Sequence, residues 1–195
     1  MNLPGAILGV AAAAALFGVS IGAQAAPPLD DATIFAIFDQ ANSADISTGR
    51  LGAKNAHSPD VRRLAVMVVT DHQAVQQMAR DLAKKLDVFA TPPDNDTSIE
   101  EEAKTISLLQ RKSGKDFDAA YLQHEIAFHQ GVIDAVKSSL LPAIQSDEFR
   151  ELVRTVLPGF EHHLAETKAV ADKLGVAYLE PQQGEDRLTL LHKHP

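Results

Sequence analysis

The chain has 195 residues and carries 18 Lys and Arg against 26 Asp and Glu, a formal charge of −8 at neutral pH. That balance argues against nucleic acid as a partner, because such binding depends on Lys and Arg neutralising phosphates. There is no Cys, which excludes disulfides, thiolate metal sites and a cysteine-linked lipid anchor, and leaves an apolar core as the source of stability.

The first element in chain order is an export signal. Ala6–Gly22 is an unbroken run of small and apolar residues, followed by Ala23-Gln24-Ala25, an A-x-A cleavage pattern. A cut before Ala26 avoids placing Pro27 first and gives a signal of residues 1–25. Met1–Gly5 has no Lys or Arg. The run of about 17 residues reaches the lower limit for a membrane span, so an uncleaved N-terminal anchor is the alternative. Residues 26–180 are expected to form one domain by length. From Pro181 onward the chain has little to bury, so 181–195 read as a loose tail. The expected location is periplasmic or secreted.

Beyond the signal, apolar residues recur every three to four positions and few stretches alternate, which predicts helices rather than strands. Four main helices are expected over 30–56, 59–88, 116–140 and 147–175, with an additional short helix over 97–111. Ser58-Pro59 opens the second, with Pro at the first helical position. Thr91-Pro92-Pro93-Asp94-Asn95-Asp96 is a loop, and Lys112-Ser113-Gly114 separates the short helix from the third main one. Pro142 is expected to close that helix, and Gly175 to stop the last. Short connections between amphipathic helices predict an all-α, antiparallel four-helix bundle.

Winding each segment at helical period shows which polar residues share the apolar face. In the first helix Asp45 falls among Ile34, Ile37, Phe38, Ala41, Gly49 and Gly52. In the second, His72 interrupts a stripe of Val61, Leu64, Ala65, Val68, Val75, Ala79, Leu82 and Leu86. In the third, Glu125 and His129 lie within a broad arc with Phe117, Tyr121, Leu122, Phe128, Val132 and Val136, and His124 lies on its flank. In the fourth, His163 joins Phe149, Leu152, Val153, Val156, Phe160, Leu164, Ala171 and Leu174, while His162 points away. Asp45 and His72 also stand at nearly equal distances from Ser58, a height mismatch of about 1.5 Å between antiparallel neighbours.

Three histidines and two carboxylates thus converge from four helices. A buried charge pairs, neutralises or binds a metal, because leaving it alone is too costly. The leading reading is one transition-metal ion (Zn, Cu, Fe or Mn) held by His72, His129, His163, Asp45 and Glu125, a nitrogen and oxygen donor set. Glu125 and His129 have the i,i+4 spacing that lets two side chains reach one ion. Asp71 is a candidate acceptor orienting a ligand, and His124 an alternate ligand. Met67 and Met78 lie off the core stripe, which speaks against a thioether site. The rivals are a purely structural polar network that fixes helix register, and a small metalloenzyme. His57 reads as a helix-end residue, the His192-x-His194 tail as a loose terminus, and Pro158 as a break or kink inside the last helix.

Asp71-His72, Phe117-Asp118-x-x-Tyr121 with His129 following, and Leu157-Pro158 followed by His163-Leu164 resemble the bacterial family called domain of unknown function 4142 (DUF4142). The resemblance spans about residues 30–175. It implies an exported protein with a ferritin-like four-helix fold and draws attention to His72, His129 and His163. The family commonly has Glu where this chain has Asp45. Paired Glu-x-x-His motifs of di-iron bundles do not occur, so a single ion is expected over a di-iron oxidase or iron store. The expected role is metal handling or a stress response in the cell envelope.

Overall fold

The computed structural model describes residues 29–94 and 96–179. The expected signal peptide, the 181–195 tail, His192 and His194 lie outside the described residues.

The described residues are all-helical. Asp31–Asn55 form α1, Pro59–Lys85 α2, Ser98–Gln110 α3, Gly114–Ala135 α4, Leu141–Ala143 a single turn, α5, and Asp147–Leu174 α6. The termini follow local chemistry. Asp30 accepts from Thr33 N at the start of α1, Ser58 from Asp60 N ahead of Pro59, and Ser146 from Phe149 N, each satisfying an N–H that the helix cannot. Two carboxylates extend this capping across the fold. Asp118 of α4 accepts from His57 N and Ser58 N at 2.8 and 2.7 Å. Asp31 of α1 accepts from Gln145 N and Ser146 N, both at 2.8 Å. His57 is therefore held through its backbone N–H rather than its ring.

At the other ends, Gly175 takes φ +68°, and Val176 N closes onto Ala171 O, so α6 stops where expected. α2 ends three residues before the expected 88, because Asp87 adopts φ 54°. The third main helix departs most. α4 passes into a π-helical segment, Val136–Leu140, in which Leu141 N bonds to Val136 O, and then into α5, which contains Pro142. A wider turn ahead of Pro142, which has no N–H to give, lets the helix run one residue past the proline instead of ending before it. Pro158, by contrast, lies inside an uninterrupted α6.

α1 packs along α2, and α4 along α6, with α2 also meeting α6 and α3 lying against α1. Arg80 of α2 forks onto Asp39 of α1, and Gln76 bonds Ser43. At the far end Gly52 meets Ala65 and Tyr121 so closely that an added Cβ would lie 2.7 Å from the Tyr121 ring. The apolar core forms two clusters. One contains Phe38, Ile133, Phe149 and Phe160, and the other Val68, Leu109, Tyr121, Leu122 and Ile126. Phe35, stacked on Phe149 at 3.6 Å, belongs to the first although its helix-wheel position had not marked it. Leu174, expected on the apolar face, is 40 % exposed at the end of α6, and Met67 packs half-buried against the second cluster. Between the clusters each of α1, α2, α4 and α6 turns polar residues inward: Asn42, Asp45 and Thr48, then His72, then Glu125 and His129, then His163 and Thr167.

Candidate metal centre

His72, Asp45, Glu125, His129 and His163 are each no more than 3 % exposed, and the structure brings all five together. Ring nitrogens of His72, His129 and His163 lie within 4.8 Å of one another, as do ligand atoms of Asp45, Glu125 and His129. The His72 ring stacks on Phe160 at 5.1 Å between centroids and meets the other two imidazoles at 5.6 and 5.1 Å.

Hydrogen bonds on the outer side of each ring decide what its inner side presents. Asn42 Nδ2 donates to Phe38 O at 2.7 Å, which turns Asn42 Oδ1 toward His72 Nδ1, 2.9 Å away. Nδ1 of His72 must therefore carry the hydrogen. His129 Nδ1 donates to the Glu125 carbonyl at 3.0 Å. His163 Nε2 donates to Asp71 Oδ2 at 3.0 Å. Each partner is an acceptor, so each neutral ring keeps a lone pair on its inner nitrogen: His72 Nε2, His129 Nε2 and His163 Nδ1. Outer-side acceptors that fix the tautomer in this way are the usual supports of metal-ligating histidines.

The inner atoms crowd one another. His72 Nε2 is 2.8 Å from Asp45 Oδ2 and 3.2 Å from His163 Nδ1, and His129 Nε2 is 3.4 Å from the same Asp45 oxygen. Both Asp45 oxygens, Glu125 Oε2 and His129 Nε2 are buried without an aligned hydrogen bond. Burial pushes the Asp45 carboxyl up, but the facing His129 and His72 outweigh it and hold Asp45 ionised, below the ordinary carboxylate range. Burial, reinforced by Asp45, drives Glu125 well above that range, which favours its protonated form in the metal-free protein; its Oε1 lies 3.3 Å from Thr48 Oγ1. Burial pushes His129 down to about 4 and His163 downward as well, despite Asp71. Tyr121, buried beside these carboxyls, has its phenol raised chiefly by burial.

The arrangement is a cage of three imidazole lone pairs and one carboxylate with too few protons to satisfy them. A single proton between His72 and Asp45 leaves His129 Nε2 and His163 Nδ1 unmet. The four donor atoms could hold a cation.

One expected residue stands elsewhere. His124 is one residue from Glu125, so helical rotation carries it out of the cage to the flank beside Phe128. Asp71 orients one of the expected ligands, the ring of His163, across the helix interface. Asn42 and Thr48 were missed. Both stand three residues from Asp45 on α1, a spacing that places them on its face, and the small polar side chains gave no other signal.

A helical protein with a buried histidine and carboxylate cluster is the class that fold and site define. The chain belongs to the DUF4142 family, domain of unknown function, whose sequence profile matches residues 18–170. A search of curated proteins finds no match. Among solved structures the chain is similar to a Streptomyces coelicolor protein described as a secreted protein, DUF305, at 14 % identity and a TM-score of 0.63, covering 77 % of this chain and 99 % of that one. At that identity the likeness establishes a shared helical fold. Among the described residues no helix is long and apolar enough to cross a membrane.

Proposed function

We propose that this protein binds one transition-metal ion at His72, His129, His163 and Asp45, with Glu125 as an auxiliary oxygen donor, and that its role is metal handling in the cell envelope. The observation that carries this reading is the convergence of three inner ring nitrogens whose outer nitrogens are all committed to acceptors. A structural network accounts for the outer acceptors, but it leaves inner lone pairs facing one another and a buried carboxylate, which carries a desolvation cost. Imidazole and carboxylate donors suit Zn, Cu(II), Fe or Mn, and such ligands bind deprotonated. His129 and His163, both pushed below ordinary histidine, are ready in that form near neutral pH.

The same proposal includes an antiparallel four-helix bundle of α1, α2, α4 and α6 over 26–180, with α3 as the additional helix. It also includes export by a signal over 1–25. The similar Streptomyces protein is described as secreted, which supports the exported reading.

The test is metal content by mass spectrometry of untagged protein beginning at Ala26, beside His72→Ala and His163→Ala. About one equivalent of one metal, lost in both variants, is expected. Protein that is metal-free and shows no thermal shift with Zn, Cu, Mn or Fe would leave the cluster as architecture and overturn the proposal.

A further inference from the structure

A groove of about 290 Å³ runs between α1, α3 and α4, where α3 only partly covers the seam of the other two. Its walls are largely apolar, with Ala41, Ala44 and Phe128 facing it beside the polar Gln40, Ser98 and Thr105, and two further sets of polar groups line it. At the rim are Asp96, Glu101 and Glu102. Lys104 is paired with Glu101, whereas among the described residues Asp96 and Glu102 have no cationic partner; Glu102 accepts from Gln40, and Asp96 from Ser98 N. Deeper in are His124 and Thr48. Among the described residues the His124 ring makes no hydrogen bond and only leans on Phe128, with centroids 5.7 Å apart. Thr48 Oγ1 donates to Glu125 Oε1 at 3.3 Å, Glu125 Oε2 is buried without a hydrogen bond, and the Glu125 carboxyl is grouped with Asp45 and His129.

We propose that this groove is the way in and out for the metal ion, with His124 as a transient ligand and Glu125 passing the ion to the buried cage. This rests on the metal-binding reading above. The rim carboxylates raise the local concentration of cations. The volume of the groove has room for an ion that keeps several waters, whose share of liquid volume is about 30 Å³ each. The imidazole that lines the groove is that of His124, and an ion that leaves the rim meets this ring and then the Thr48 and Glu125 oxygens. On the side of α2 and α6 the His163 ring is engaged by Asp71.

Rapid mixing of metal-free protein with Co(II), whose visible absorption reports coordination, tests the route. Equilibrium affinity for Co(II) is measured alongside. His124→Leu keeps apolar bulk and removes the ligand, and Ala44→Phe fills the groove. Each is expected to slow both loading and release at least tenfold while affinity stays within about threefold. Asp96→Asn with Glu102→Gln should slow loading several-fold at low salt and not at high salt, because exposed charges are screened. Circular dichroism identifies any variant that misfolds, and the His124 substitution stands independently of the bulkier Ala44 one. Wild-type loading rates in folded groove variants, or slower loading explained wholly by weaker affinity, would overturn the route and leave the metal site standing. Wild-type protein that takes up no Co(II) while also proving metal-free would remove the site itself.

Discussion

His163 Nε2 and Asp71 Oδ2 sit 3.0 Å apart across α6 and α2, and the two partners differ sharply in environment: the imidazole is 2 % exposed and the carboxylate 53 %. Asp71 thus reaches in from the surface to fix a buried ring, leaving His163 Nδ1 turned toward His72. Asp71→Asn keeps the size and weakens the acceptor. It should lower metal affinity about 10- to 100-fold, as loss of an orienting partner typically does, with unfolding of the metal-free protein little changed. Isothermal titration beside a urea melt checks both halves. Equal affinity in wild type and variant would mean His163 needs no such support.

Asp45 separates metal binding from plain architecture. Its carboxylate is fully buried and kept ionised against the pull of burial by His129 and His72. Asp45→Asn removes the buried charge without opening a cavity, so metal-free protein should melt at or near the wild-type temperature. The stabilisation that metal gives wild type, about 2.7 kcal/mol at 100 times the dissociation constant, should shrink sharply. A thermal melt with and without metal shows either outcome. A variant that loses stability without metal yet keeps the full shift would move Asp45 out of the ligand set.

Acid should loosen the metal-free protein through His129. Its folded pKa is depressed to about 4 by burial, against 6.5 for the free group. Between these values the unfolded chain holds a proton that the folded one refuses, so stability rises with pH across the window. It is lost as pH falls from about 6.5 toward 4, and His163, shifted in the same direction, adds to the slope. His129→Leu should flatten that slope. Urea melts at pH 7, 6, 5 and 4 measure it, and an unchanged slope in the variant would assign the acid sensitivity to other groups.

Two glycines in helices make opposite predictions. A Cβ on Gly52 would lie 2.7 Å from Tyr121 Cζ and 2.8 Å from Ala65 Cβ, so Gly52→Ala should cost about 1–3 kcal/mol by overpacking. Gly131 of α4 has nothing within 4 Å of that position, and Gly131→Ala should add about 0.5–1 kcal/mol through helix propensity. Denaturant midpoints of the two variants should move apart in opposite directions from wild type.

Much of the helical framework was legible because it is written locally. Ser58-Pro59 and Gly175 mark termini through chemistry that acts within one turn, and each did so here. The end of α4 was misread because a π-helical segment accommodates Pro142 through an i→i+5 bond, a compromise that side-chain periodicity does not record. Leu174 was misplaced because the period continues to the last residue of α6 while its packing partners do not.

The sequence by itself determined that Asp45, His72, Glu125, His129 and His163 point inward, since the direction of a side chain follows from its phase on its own helix. Only the tertiary structure decided what those side chains meet. The rotation and tilt of α2 against α6 bring Asp71 to His163 rather than leave it in water, and α1 against α2 brings Asn42 to His72. One helical step takes His124 to a groove that exists because α3 covers the α1–α4 seam incompletely. Phase is a property of one helix, whereas distances between side chains on different helices depend on how the helices pack, and the tautomers that define the cage follow from those distances.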